Sequence, residues 1–396
     1  MMRGGGRSEG WHVGLRCATL QPAAAQLASW QVLSLSLTGR IQPMLSILGS
    51  TWGILTSFRA SLYESGWLPC RNLERPVISI GALSVGGAGK TPTTALVASL
   101  LSEAGIQPAI LSRGYRRRST AALLVSHGDA RGPIVEVDQA GDEPFWLASV
   151  LPTVPVVVAK RREEAAHVAL TAAAVIPDVF LLDDGFQHLR VARNANLLIV
   201  NPEQPFWEDA PIPSGRLREA SSAATRADGF LIVRADTEAA RGLHNRFPEH
   251  PRFELTRQIP CCWPLGQEIP RAWPTTESNE ATEIRFKGSA FAFAGIARPE
   301  RFFEDLEADG VTLKGQYAFP DHHEFRAQDV TRVVRMAQEC GADTLVTTEK
   351  DAVRLPNKAF PGPLWVWGYR LQTSSPETLV SWLKDLTGLS SLPDAA

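Results

Sequence analysis

A glycine-rich run followed by lysine and threonine is the feature of this sequence that points most directly to chemistry. The run occupies residues 84–91 and consists of Ser84, Val85, Gly86, Gly87, Ala88, Gly89, Lys90 and Thr91. Apolar residues 77–82 precede it, and a helical pattern follows it. In such a loop the backbone N–H groups and the helix N-terminus bind phosphate, the lysine reaches the β- and γ-phosphates and the threonine hydroxyl ligates Mg²⁺. The run predicts binding of ATP and Mg²⁺, although Ser84 stands where the usual motif has its first glycine.

Two adjacent carboxylates, Asp183 and Asp184, follow a second apolar stretch at residues 179–182 and precede G-F-Q-H. P-loop proteins hold Mg²⁺ with such strand-end acids, because ligands of open α/β sheets bind at the carboxyl ends of the strands. Alone, a strand that ends in D-D-G is as often only a turn. Together with the glycine run, this motif favours a metal site made by Thr91 and one of these two carboxylates.

Other polar clusters could act with these two motifs, although each also has a plain structural interpretation. They are S-R-G-Y-R-R-R at 112–118, G-D-E-P at 141–144, R-L-R-E at 216–219 and D-H-H at 321–323. G-D-E-P fits a helix N-cap with proline in the first turn. S-R-G-Y-R-R-R and R-L-R-E fit solvated loops, and an Asp-His pair such as that in D-H-H is more often structural than catalytic. A kinase nevertheless needs cations for the transferred phosphoryl group and for an anionic acceptor. Arg113 and Arg116 are therefore candidate acceptor-binding residues.

The elements that must position these residues alternate between strand and helix patterns. This alternation predicts an α/β fold whose P-loop domain has a doubly wound, mostly parallel sheet. Its strand patterns lie at residues 77–82, 108–111, 155–159, 179–182, 197–200 and 230–233. A second alternation predicts a smaller α/β/α domain, with strands at 290–294, 344–347 and 364–369 and helices at 299–306, 327–339 and 376–386. The predicted organisation is an extension at 1–42, a helix at 43–65, the P-loop domain at 66–260, a proline-rich linker at 261–287 and the smaller domain at 288–390.

The predicted N-terminal helix is amphipathic. Its apolar residues recur at helical spacing, and they are Met44, Leu48, Trp52, Leu55, Phe58 and Leu62. With Arg59 and Trp67 nearby, the pattern is typical of a helix that lies in a headgroup layer. A helix packed on its own domain fits equally well. Residues 1–42 are Arg-rich and poor in acids, which fits a transit peptide, but a dispensable or misassigned extension fits at least as well.

Bulk composition narrows the class of protein. A chain of 396 residues is long enough for two domains. Its net charge of −2 provides no general attraction to nucleic acid. Its five cysteines are odd in number and contain no C-x-x-C pair, which fits a reducing compartment and no cysteine metal site. No run of eighteen apolar residues exists, so a spanning helix is not expected.

Taken together, the motifs resemble the tetraacyldisaccharide 4′-kinase family, which makes lipid A. The resemblance rests on V-G-G-A-G-K-T-P, S-R-G-Y, G-D-E-P, A-K-R-R, D-D-G-F-Q-H, R-E, F-A-G-I-A-R-P-E-R-F, D-H-H and T-E-K-D-A-V-R-L, which occur in order between about residues 43 and 382. D-D-G-F-Q-H and F-A-G-I-A are far more specific than the glycine run.

The resemblance implies transfer of the ATP γ-phosphoryl group to the 4′-hydroxyl of a tetraacylated glucosamine disaccharide 1-phosphate, at the cytoplasmic face of a bacterial inner membrane. The implied partners are this lipid and the membrane surface, with no nucleic acid and no obligate protein partner. The resemblance also implies roles for individual residues. Lys90 and Thr91 would bind phosphate and Mg²⁺. The metal and phosphate site would include Asp183, Asp184 and Glu219. Asp142 would be the base, and His322 would be its partner across the domain cleft.

A membrane-associated P-loop NTPase switch is the main alternative. Partitioning ATPases with a similar loop carry lysine where Val85 stands. GTPases read guanine with N-K-x-D or T-K-x-D, whereas residues 348–351 read T-E-K-D. Both differences favour the kinase.

Overall fold

The computed structural model describes residues 23–87, 89–233, 237–257, 261–266, 288–355 and 363–391. The strands are β1 (Val77–Gly81), β2 (Pro108–Ser112), β3 (Leu123–Ser126), β4 (Val156–Val158), β5 (Val179–Asp183), β6 (Ala195–Val200), β7 (Gly229–Val233), β8 (Arg252–Arg257), β9 (Cys261–Pro264), β10 (Ser289–Ala294), β11 (Thr312–Ala318), β12 (Thr344–Thr348), β13 (Leu364–Gly368) and β14 (Leu371–Thr373). The helices are α1 (Ala23–Glu64), α2 (Lys90–Glu103), α3 (Val137–Ala140), α4 (Asp142–Val150), α5 (Arg162–Ala172), α6 (Thr237–Arg246), α7 (Pro299–Ala308), α8 (Ala327–Glu339), α9 (Glu349–Ala352) and α10 (Pro376–Thr387).

The larger sheet has nine strands in the order β14-β8-β7-β6-β1-β5-β2-β4-β3. All neighbours are parallel except the two edge pairs, β3 with β4 and β14 with β8. Its central strands are buried throughout, as the continuous apolar runs predict for a parallel sheet covered on both faces. Helices α2, α4 and α10 share one core with the sheet, and α5 packs in another. The predicted doubly wound α/β fold is confirmed.

The smaller sheet has five strands in the order β11-β10-β12-β13-β9, all parallel except β9. Helix α7 contributes Phe302, Phe303 and Leu306 to one core, while α8 contributes Val333 and Ala337 to the other. The strands that the sequence patterns missed, β3, β8, β9, β11 and β14, lie at or next to sheet edges. Edge strands are short or carry polar residues, so they lack the apolar runs that mark central strands.

The chain crosses between the two sheets more often than predicted. Strand β9 lies within the expected linker but belongs to the smaller sheet, and residues 267–287 of that linker lie outside the described residues. Strand β14 and helix α10, expected in the smaller domain, return to the larger sheet, where Leu371, Leu379 and Leu383 enter its core. An apolar face shows that an element packs somewhere, but not against which sheet.

The N-terminal helix α1 begins at Ala23, twenty residues before the predicted start near Pro43. The expectation that residues 1–42 lie outside the fold therefore needs correction for 23–42, while residues 1–22, including Cys17, lie outside the described part. Pro43 lies inside the helix, although proline is more typical of a first helical turn. No helix among the described residues is long and apolar enough to cross a membrane.

Helix α1 packs on the P-loop domain through small residues. Gly49 and Gly53 are buried, and a Cβ at either position would meet Pro211 or Ser214. The large apolar side chains of the helix face outward, and they are Met44, Ile47, Leu48, Trp52, Ile54, Leu55 and Phe58. The helix therefore packs on its domain and still exposes an apolar face, while its place in a headgroup layer stays a prediction.

Candidate active site

The glycine run forms a loop between β1 and the N-terminus of α2. Gly86 and Gly89 have φ values of 89° and 76°, which side chains other than glycine rarely adopt. A Cβ added at Gly86 or Gly87 would meet no atom within 4 Å, so this side of the loop is open to a ligand. Lys90 Nζ donates to the carbonyl oxygen of Gly86 at 3.3 Å. Ala88 lies outside the described residues.

The R-L-R-E segment lies alongside this loop. Ser84 forms an antiparallel bridge with Leu217, and Val85 N donates to Arg216 O at 2.8 Å. Ser84 therefore serves as a backbone partner at the position of the motif's usual first glycine.

Asp183 ends β5 and is almost completely buried. Its carboxylate accepts hydrogen bonds from Thr94 Oγ1 at 3.1 Å and Ser112 Oγ at 3.0 Å. Burial, together with Glu143 and Asp184, raises the pKa of Asp183 to about 7. A cation would offset this excess of negative charge. The donor set of one buried carboxylate and the Thr91 hydroxyl fits Mg²⁺, which is usually held by one or two carboxylates plus phosphate oxygens.

The other two predicted metal ligands are paired with arginines. Both Asp184 carboxylate oxygens lie 2.8 Å from Arg218 Nη1. Glu219 is buried and accepts from Arg226 Nη2 at 2.7 Å. No group of three or more His, Cys, Asp or Glu side chains within the described residues is arranged to hold a metal. The assignment of these residues to the metal site stays a prediction.

Asp142 and His322 meet across the two domains, with Nδ1 of the imidazole 2.8 Å from Oδ2 of the carboxylate. Asp142 is the first residue of α4, and Gly141 before it has a φ of 90°. A Cβ at Gly141 would lie 3.0 Å from Tyr115 O, so glycine lets the G-D-E-P and S-R-G-Y loops pack together. His322 itself has a φ of 60°, in the left-handed region.

Cations of the smaller domain surround this pair, and sequence reasoning did not assign them roles. Lys350 Nζ lies 3.4 Å from His322 Nε2, and Arg354 Nε lies 3.4 Å from Asp142 Oδ2. Burial alone would raise the pKa of Asp142. The hydrogen bond with His322 and the charges of Arg354, His322 and Lys350 outweigh that effect and hold the pKa below its usual value. Both cations lie in the T-E-K-D-A-V-R-L string, and this string is the sequence signal that could have identified them.

Arg113 and Arg116 are exposed beyond the carboxyl end of β2. The Arg116 guanidinium lies over the Tyr115 ring at 5.5 Å, and the Tyr115 ring lies 5.8 Å from that of His322. The basic run thus borders the Asp142–His322 pair, while the acceptor-binding role of the two arginines stays a prediction.

Three further polar residues line a small cavity at the mouth of the glycine loop, namely Asn201, Gln204 and Arg298. Arg298 comes from the smaller domain and hydrogen-bonds Gln204. The F-A-G-I-A-R-P-E-R-F string contains Arg298, but only the tertiary structure places it at the phosphate loop.

A phosphate-binding loop, a buried strand-end carboxylate and an Asp-His pair closed by a second domain define a two-domain P-loop phosphotransferase. The family model for tetraacyldisaccharide-1-P 4′-kinase (LpxK) matches residues 41–387. The tetraacyldisaccharide 4′-kinase of Desulfotalea psychrophila is 37% identical over 325 residues, which cover 80% of this chain and 89% of that one. That of Pelobacter propionicus is 39% identical over 304 residues, which cover 77% of this chain and 80% of that one.

The solved structures give the same result. A crystal structure of an "apo" form of LpxK from Aquifex aeolicus in complex with ATP matches 89% of this chain and 99% of that chain. The match has a TM-score of 0.68 at 28% sequence identity. This chain belongs to the tetraacyldisaccharide-1-P 4′-kinase family.

Proposed function

We propose that this chain transfers the γ-phosphoryl group of ATP to the 4′-hydroxyl of a tetraacylated glucosamine disaccharide 1-phosphate, giving the bis-phosphorylated lipid A precursor. The observation that carries the proposal is the Asp142–His322 contact of 2.8 Å, made across the domains in a chain of this family. The pair supplies a base on the same side of the sheet as the phosphate loop. Gly141, beside Asp142, packs against Tyr115 after the carboxyl end of β2, and the phosphate loop follows the carboxyl end of β1.

The chemistry asks mainly for positioning and charge neutralisation. Phosphoryl transfer passes through a loose transition state, so the acceptor hydroxyl needs to lose its proton only late. Asp142 is ionised at neutral pH because its pKa is lowered, and it accepts that proton. His322 holds the carboxylate in one orientation. Lys90 and the loop N–H groups bind the β- and γ-phosphates. Thr91 and Asp183 would hold Mg²⁺, which would neutralise part of the phosphate charge.

Domain closure excludes water from this reaction. His322, Lys350 and Arg298 belong to the smaller domain, whereas the glycine loop and Asp142 belong to the larger one. The reacting groups therefore assemble only when the domains are together, which limits wasteful hydrolysis of ATP.

The acceptor places the enzyme at a membrane surface. A lipid with four acyl chains leaves a bilayer only at a cost of roughly 0.8 kcal/mol per CH₂. The exposed apolar side chains of α1, with Trp52 among them, suit insertion into a headgroup layer. The proposal therefore includes peripheral attachment of this chain to the cytoplasmic face of an inner membrane. It includes no nucleic acid and no obligate protein partner.

A kinase assay with two acceptors tests the proposal. Labelled ATP is offered with the lipid disaccharide 1-phosphate in mixed micelles or with a water-soluble glucosamine disaccharide, and products are separated by thin-layer chromatography. We expect label on the lipid alone and none with Lys90→Ala, whose melting temperature should match that of the parent chain. ATP hydrolysis without transfer to the lipid would contradict the kinase and support a nucleotide switch.

A further inference from the structure

Arg354 is held by its own domain through nearly every N–H that it can donate. Its Nη1 donates to His323 O at 3.1 Å, and its Nη2 donates to Gly295 O at 3.1 Å and to Asp351 Oδ1 at 2.7 Å. Its Nε donates to Lys350 O at 3.2 Å. The side chain is only 7% exposed. A guanidinium with this many fixed acceptors has one available position.

The acceptors of Arg354 are themselves fixed. Asp351 is fully buried, and its Oδ2 accepts from Gly295 N at 3.0 Å and Thr348 Oγ1 at 2.6 Å. His322 N also donates to Gly295 O, at 3.0 Å. The turn that carries His322 and the guanidinium of Arg354 therefore share Gly295 as an anchor.

From this position the Arg354 guanidinium faces the other domain, with Nε 3.4 Å from Asp142 Oδ2. This contact is ionic, because the single Nε–H is donated to Lys350 O. The same oxygen lies 2.8 Å from His322 Nδ1. Asp142 is thus contacted on one oxygen by two groups whose mutual geometry is set within the smaller domain.

Within the described part of the chain, the other charged and titratable groups that contact this pair or its neighbours are Lys350, Glu143, Asp321 and Tyr115. Lys350 Nζ lies between His322 Nε2 at 3.4 Å and Glu143 Oε1 at 3.5 Å. Asp321 Oδ2 lies 4.0 Å from His322 Nε2, and Tyr115 meets the imidazole edge to face. Lys350 thus pairs with Glu143, whereas Arg354 contacts the Asp142 carboxylate directly.

A second contact holds α4 against α9 one helical turn further on. Trp146, four residues after Asp142, donates from Nε1 to Glu349 Oε2 at 3.2 Å. Glu349 also accepts from Arg370 Nη1 at 2.7 Å. Asp142 and Trp146 share one face of α4, and their partners Arg354 and Glu349 both lie in the T-E-K-D-A-V-R-L segment. The segment therefore docks the base-bearing helix at two points.

We propose that Arg354 is a positioning residue for phosphoryl transfer, which fixes the orientation and the ionised state of Asp142 relative to His322 when the two domains are together. The inference rests on the proposed function. Arg354 touches neither acceptor nor phosphate in this role, and it acts only through Asp142.

Arg354→Gln removes the charge and keeps a polar side chain. We expect kcat to fall roughly tenfold or more with KM for ATP little changed, because the phosphate loop is untouched. We also expect the acid limb of the kcat/KM profile to move up by on the order of one pH unit, since an adjacent cation lowers a carboxyl pKa. Arg335→Gln is the matched control. Its side chain is 69% exposed on α8, where it pairs with Glu339.

Two further variants separate positioning from folding. In an Asp142→Asn background, Arg354→Gln should cost no further activity if it acts through Asp142, as the residual rate then lacks the base. Arg354→Lys should restore part of the rate and part of the acid-limb shift. An equal loss with and without Asp142, or a lowered melting temperature with an unmoved acid limb, would overturn the inference.

Failure of the inference differs from failure of the proposed function. If the parent chain and Arg335→Gln phosphorylate the lipid while Arg354→Gln matches them at every pH, only the positioning role is wrong. If the parent chain transfers no phosphate to the lipid, the proposed function is wrong.

Discussion

At the scale of single residues, burial and neighbouring groups together set the pKa values of the carboxylates around the site. The pKa of Asp183 is raised by burial beside other carboxylates, whereas that of Asp142 is lowered by the cations that the smaller domain brings to it. The pKa values of the two aspartates are thus shifted in opposite directions, which suits Asp183 to a bound cation and keeps Asp142 ionised. Their types alone did not distinguish them.

His188 of D-D-G-F-Q-H provides a pH-dependent prediction. Burial first, and then the nearby Arg162, lower the pKa of His188 to about 4. The unfolded chain binds this proton more readily, near a pKa of about 6.5. The native state therefore loses stability as the pH falls from about 6.5 to about 4, by roughly 2 to 3 kcal/mol from this group.

We expect His188→Gln to flatten the dependence of unfolding free energy on pH in that window. Urea unfolding at several pH values measures it, with exposed His167→Gln on α5 as the control. Parallel curves for His188→Gln and the parent chain would show that His188 is not the group responsible.

At the scale of elements, α1 joins the exposed apolar face to the site. Its Trp52 donates from Nε1 to Arg218 O at 2.9 Å, and its Arg59 donates to Gln187 O at 3.4 Å. Arg218 in turn holds Asp184. The helix is therefore attached to the loops that border the nucleotide site, and its outward apolar face stays exposed.

Replacing Ile54 and Phe58, which are 69% and 63% exposed, tests the membrane contact. We expect the double change to serine to weaken sedimentation with anionic vesicles by on the order of tenfold or more, since each side chain contributes about 1.5–3 kcal/mol when removed from water. Activity in detergent micelles and the melting temperature should change little. Ser50→Ala with Ser57→Ala is the control on the same helix, and unchanged sedimentation of the serine variant would contradict the anchor.

At the scale of the whole molecule, the two sheets are joined by buried polar contacts and by the returning chain. Arg370, 1% exposed, pairs with Glu349 of the smaller domain, and Glu349 accepts from Trp146 of the larger one. Burial raises the pKa of Glu349, with Arg370 opposing that rise. The pair therefore connects α4, α9 and the segment that leads back to β14.

Arg370→Met should lower the unfolding free energy by about 3–5 kcal/mol, because it leaves Glu349 buried without its cation. Glu349→Gln with Arg370→Met should recover part of that loss. Chemical unfolding measures both, with exposed Arg335→Met as the control. A midpoint for Arg370→Met equal to that of the parent chain would show that the pair does not stabilise the domain arrangement.

The sequence by itself determined the phosphate loop, the strand-end carboxylates, the doubly wound fold and the family. These features are local, because glycine torsions, a helix N-terminus and continuous apolar strands depend on residues that are neighbours in the sequence. Parallel strands then bring their carboxyl ends to one edge of the sheet.

The tertiary structure alone decided which distant groups meet. Asp142 and His322 are 180 residues apart in the chain, and Arg354, Lys350 and Arg298 reach the site only because the second sheet docks on the first. Likewise, an apolar period could not show that β14 and α10 return to the larger sheet. Contacts between segments far apart in sequence depend on how faces pack in three dimensions, which the periodicity of one segment does not contain.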